Sequence, residues 1–324
     1  MNQSLLLISE RPEDQAFASE VAKSAGLTLV VSRGAQQGVE FIAKESPIAI
    51  FVDVSSEKQF QQFEGQVQES LGLFSDKISA NAIHFICSEE LEKAAFLVQS
   101  PLFGHFIHRA FGDSKASGQH YGRVVAHSIA PRAFGLGGLL APHAKIQIVR
   151  LQNSSQKSDA VEAVRNFAVA AKFQARMATV IASAVDELLM NAIFDAPIDE
   201  LGRPLYKITS RSNSLKLEGP SAVELHVGFD GTYIGVSAVD LYGSLDKSTL
   251  LSHVSKLYRD EEYRVKASVA SAGIGLATVS RTGASLYFAS ESSVRTEVTA
   301  LYRKSNTFRE FKDQFRFIST QFYF

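Results

Sequence analysis

Val185-Asp186-Glu187-Leu188-Leu189-Met190-Asn191-Ala192-Ile193-Phe194-Asp195-Ala196 sets an acid, an amide and a second acid at four-residue spacing. On a helix, Glu187, Asn191 and Asp195 then line one face, while Leu188, Met190, Ala192 and Ile193 turn toward a core. A carboxylate one turn from an amide suits a site that holds Mg²⁺ against a nucleotide phosphate. The amide oxygen is a hard neutral ligand, and the carboxylate accepts a proton. The same stripe is also the ordinary wet side of an amphipathic helix, so its meaning depends on the segments downstream.

Three segments qualify. Val236-Ser237-Ala238-Val239-Asp240-Leu241-Tyr242-Gly243-Ser244-Leu245 ends an apolar strand on an acid and follows it with a glycine turn. A buried aspartate at Asp240 can accept a hydrogen bond from an exocyclic amine such as adenine's, although a capped strand end has the same pattern. In Ser271-Ala272-Gly273-Ile274-Gly275-Leu276-Ala277-Thr278-Val279 the glycines permit close backbone approach to phosphate before a helix N-terminus. Glycines also simply let helices pack against sheets. Arg295-Thr296-Glu297-Val298 places a hydroxyl on the last main strand, either within reach of a base or on the surface.

In this order and spacing the four segments resemble the Bergerat-fold ATP-binding domain of the histidine kinase-like (GHKL) ATPases, over about residues 145–304. The lead-in 160–191 looks nearest to the anti-sigma serine kinases. The resemblance implies an α/β sandwich and a cofactor set of ATP and Mg²⁺. It makes Glu187 the catalytic base and Asn191 the ligand to Mg²⁺ carried with ATP. Asp195, Asp240, Gly243, Gly273, Gly275, Leu276 and Thr296 are the further nucleotide-binding positions. The insertion 244–271, with Lys256, Arg259, Arg264 and Lys266, corresponds to a lid over the phosphates. Two departures stand out. The glycine after Asp240 comes one residue late and the second glycine of that box is absent. Phe194 and Asp195 stand where histidine kinases carry a basic residue. The one candidate phosphoacceptor histidine, His127, has no long helical hairpin around it.

Residues 1–112 read differently. Apolar runs at 4–9, 27–32, 47–54, 82–87 and 105–108 alternate with helical patterns, as in a doubly wound (flavodoxin-like) parallel sheet. Chemistry in such sheets sits at the C-terminal strand ends. There Glu10, Asp53, Ser88 and His108 converge. This region resembles a response-regulator receiver, with Asp53 as the candidate phosphoacceptor and Ser88 as the switch hydroxyl. One carboxylate of the usual pair is missing at Ser9-Glu10, and His108 is read in place of the customary lysine. A degenerate receiver used for docking fits these departures.

The chain has 324 residues, a formal charge of -1 and 45% hydrophobic residues. These values suit two globular domains and supply no electrostatic reason to bind nucleic acid or a membrane surface. One cysteine, Cys87, excludes an internal disulfide. Neither a signal peptide nor a membrane-spanning run is expected, and the location expected is the cytoplasm. The polar Gly/Ser-rich stretch 112–119 begins a linker and packing segment over 113–144, and residues 305–324 form an aromatic tail expected to pack back on the fold. The function these patterns predict is that of a signalling protein of the two-component type that binds Mg-ATP. It would act as a Ser/Thr kinase or anti-sigma-like regulator under a receiver-like domain, with a protein partner (a regulator of the anti-anti-sigma kind) and a homodimer as candidate assemblies. The alternative is a catalytically inactive two-domain scaffold.

Overall fold

A computed structural model describes residues 3–72, 78–91, 93–94, 96–206, 209, 213–251, 279 and 282–323. The chain divides into two compact units, Met1–Ala133 with Phe315–Thr320, and Phe134–Gln314 with Gln321–Phe324.

In the first unit, β1 (Ser4–Ile8), α1 (Pro12–Ala25), β2 (Thr28–Ser32), α2 (Ala35–Glu45), β3 (Ala49–Asp53), α3 (Glu57–Leu71), β4 (Ile83–Cys87) and β5 (His105–His108) alternate as expected. The strands are parallel in the order β2-β1-β3-β4-β5. Leu5, Leu6, Leu7 and every residue of β4 are buried, as a parallel sheet covered on both faces requires. The predicted linker is not a tether. Asp113 accepts from the backbone N–H groups of Lys115 and Ala116 and so caps α4 (Ser114–Ser128). That helix lies along α1. A Cβ on Gly118 would come 2.6 Å from Glu20 Cβ and one on Gly122 2.5 Å from Ser24 Cβ, so two glycines a turn apart bring the helices together. Their composition imitates a linker. The boundary between units falls at 133/134.

The second unit is antiparallel. β6 (Lys145–Leu151), α5 (Lys157–Ala170) and α6 (Ala175–Met190) precede the β7 (Val223–Phe229)–β8 (Tyr233–Asp240) hairpin. It turns at Asp230-Gly231, with Gly231 at φ 92°, the left-handed geometry that a tight hairpin demands. β9 (Ser285–Glu291) and β10 (Arg295–Arg303) complete the order β9-β10-β8-β7-β6. The segment Ala175–Asp195, with mean hydropathy 1.5 over its most apolar window, is long and apolar enough to cross a membrane, contrary to the sequence expectation. Its apolar face, including Ile181, Val185, Leu188 and Leu189, is buried within this unit.

The aromatic tail packs as expected. Phe311, on the short helix α7 (Phe308–Lys312), stacks on Tyr302 in the second unit. Phe315 and Phe317 join Phe17, Phe111 and Tyr121 in the first. β11 (Phe317–Tyr323) pairs antiparallel with β5 over Phe317–Ser319.

Candidate functional site

In the second unit, α6 presents its polar stripe where its apolar face ends. Asp186 is held by Lys157 in an ion pair, which leaves Glu187 and Asn191 as the half-buried polar groups farther along. The α-helix then widens into a π turn at Asn191–Asp195, closed by a 2.8 Å bond from Ala196 N–H to the Asn191 carbonyl. Glu187 and Asn191 keep the one-turn relation expected from their spacing. Asp195 is the last residue of that π turn and is half-buried. Beyond the π turn, Ser244 Oγ donates to the Ala196 carbonyl at 2.7 Å and ties the segment after β8 to the end of this helix.

Asp240 is the last residue of β8 and is 4% exposed. Its Oδ1 accepts from Tyr242 N–H at 2.9 Å and Gly243 N–H at 3.4 Å. Burial nevertheless pushes its pKa up to about 6. Thr296 sits directly opposite Asp240 in the β8–β10 register. Thr296 is buried, and its hydroxyl lowers the Asp240 pKa by less than burial raises it. A buried carboxyl disfavoured in its charged form could accept a hydrogen bond from a polar ligand. The backbone itself requires Gly243: φ is +58°, and a Cβ would come 2.1 Å from the Glu291 carbonyl oxygen. Among the described residues, no group of three His, Cys, Asp or Glu could hold a metal unaided; Asn191 and Glu187 suit a Mg²⁺ that arrives with phosphates. Gly273, Gly275 and Leu276 lie outside the described residues, as do the lid residues Lys256, Arg259, Arg264 and Lys266. At the start of that insertion, burial lowers the Lys247 amine to about 8.

His127, the other histidine weighed on sequence, is on α4 of the first unit, and burial lowers its pKa.

In the first unit the residue at the centre of the strand ends is Arg109. Its guanidinium donates to Asp14 Oδ1 at 2.8 Å, Asp14 Oδ2 at 3.0 Å and Asp53 Oδ1 at 2.6 Å, and also to the hydroxyls of Ser55 and Ser88. Arg11 adds a 3.1 Å bond from Nε to Asp53 Oδ2. Burial raises the Asp53 pKa, but the Arg109 charge and hydrogen bonds outweigh it and hold the carboxylate below its ordinary range. Of the residues expected here, Asp53 and Ser88 meet at Arg109. Glu10 is exposed and takes no part. His108 is half-buried, its pKa lowered by burial, beside the Arg316–Glu90 pair. The sequence reading therefore missed Arg109 and the fully buried Asp14; the available signal was a basic residue one position after the last apolar strand. No protein-family model matches the chain, and no curated protein shows significant similarity to it.

Proposed function

We propose that the second unit binds Mg-ATP as a Bergerat-type, histidine kinase-like domain and uses it to phosphorylate, or to sequester in a nucleotide-dependent way, a protein partner. The observation that carries this reading is the buried Asp240–Thr296 pair, where a carboxyl whose pKa burial raises to about 6 lies across the strand register from a buried hydroxyl. Asp240 would accept from the adenine amine, Asn191 would hold Mg²⁺ with the phosphates, and Glu187 would take the proton of an acceptor hydroxyl or water. In the first unit the Arg109 guanidinium is already bonded to Asp53 and Asp14, so that unit would serve as a module insensitive to phosphorylation. Calorimetry of the full chain with Mg-ATP tests the reading. Asn191→Ala and Asp240→Asn are expected to weaken binding at least about tenfold. Glu187→Gln is expected to keep binding and abolish hydrolysis or transfer.

A second reading, a scaffold without catalysis, is favoured by Gly243, whose presence packing alone explains. Absence of Mg-ATP binding by the unmodified chain at millimolar concentration would select it.

A further inference from the structure

The doubly wound sheet of the first unit reverses direction between β1 and β3, and such switch points are where open α/β sheets take ligands. A cleft of about 520 Å³ opens there, lined by Ile8, Glu10, Arg33, Val52, Gln59 and Phe63 among others. Its size falls in the range of small-molecule sites. Ile8, Val52 and Phe63 supply an apolar floor. The charges on its walls are not equally available. Asp53 is held by Arg109 and Arg11, whereas the exposed side chains of Glu10 and Arg33 have no partner among the described residues. Arg33 also directly precedes α2, whose N-cap is Gly34 and whose first turn has no side-chain cap.

One unspent charge of each sign over an apolar floor matches an ammonium and a carboxylate carried on an apolar body. We propose that this cleft binds a free α-amino acid with a large apolar or aromatic side chain. Arg33 and the first-turn N–H groups of α2 would take the carboxylate, Glu10 the ammonium, and Ile8, Val52 and Phe63 the side chain. A purely anionic ligand would gain Arg33 and meet Glu10 as a like charge. The site is independent of the ATP reading of the second unit.

The chain contains no tryptophan, so the emission of L-tryptophan reports its own binding to the full-length protein; L-phenylalanine and L-leucine are followed by calorimetry. Expected is saturable binding of at least one of the three with Kd below about 1 mM. Glu10→Gln and Arg33→Gln should each weaken it about tenfold or more, and Asn191→Ala should leave it unchanged. Tryptamine and indole-3-propionate, each lacking one charge, should bind at least tenfold more weakly. Both substituted side chains are exposed, and circular dichroism checks that the variants fold. The proposal is overturned if none of the three amino acids saturates the protein by about 10 mM or if both variants bind unchanged. It is also overturned if indole-3-propionate or inorganic phosphate binds as tightly as the amino acid, which would make this an anion site.

Discussion

Asp240 contributes to stability with a sign opposite to that of most carboxylates. Its folded pKa of about 6 lies above the ordinary 3.8, so the fold favours the neutral acid. The stability this lends is complete below the ordinary carboxylate range and is lost as pH rises through about 6. At pH 8 the buried charge is a cost whose ceiling, from that difference, is about 3 kcal/mol. Asp240→Asn keeps an oxygen for the Tyr242 and Gly243 N–H groups and removes the charge. Urea unfolding should show it more stable than the parent at pH 8, with the gain shrinking toward zero near pH 4, while Mg-ATP affinity falls. A variant equally stable at both pH values would mean that Asp240 is not strained. This residue was legible because an acid closing an apolar strand is a conspicuous pattern. Arg109 was not, because it lies one residue beyond the strand, whose span His105–His108 matches the sequence pattern. Successive side chains near a strand point to opposite faces, so choosing His108 instead of Arg109 substituted a group on the Glu90–Arg316 side for the one that meets Asp14 and Asp53.

The same lesson appears in α4. Strand runs such as Leu5–Ile8 and Ile83–Cys87 stand out because a sheet buried on both faces needs unbroken apolar residues. Helical glycines have the reverse effect: Gly118 and Gly122, with the serines near them, lower apparent helicity and suggest a tether. Their reason lies in tertiary contact. Gly122 faces the Val21 carbonyl at 2.8 Å from a built Cβ, and Ser24 Oγ donates to the Gln119 carbonyl at 3.0 Å. Propensity alone says that Gly122→Ala should stabilise α4 by up to about 1 kcal/mol. The contact with α1 reverses the sign, and thermal unfolding should show a loss of about 1–3 kcal/mol. In α6 the Glu187–Asn191 pair was readable from spacing. The π turn was not, since it arises where Ala196 bonds back five residues, a choice that side-chain spacing does not reveal.

Across the whole molecule, the two units draw on different physics. The first is a parallel sheet whose charged residues cancel around a single guanidinium, and the second is an antiparallel sheet with an uncancelled carboxyl at a strand end. The first also depends on residues far away in the chain. Phe317, 1% exposed, lies against Tyr121 with ring centroids 5.0 Å apart, so Phe317→Ala should destabilise the first unit by about 3–5 kcal/mol. Hydrogen exchange should show faster amide exchange in β4 and β5, with β7 and β8 of the second unit unaffected. Equal acceleration in both would indicate that they unfold as one body.

The membership of Phe315–Thr320 in the first unit has a consequence during translation. Residues 1–133 leave the ribosome early, yet their sheet lacks its antiparallel neighbour and two aromatic side chains until residues 134–314 have been made. At about 5–20 residues per second, that interval lasts on the order of 10–40 s. Through it, β5 is an open edge of a nascent domain, and a chaperone able to shelter one exposed strand would find its substrate there.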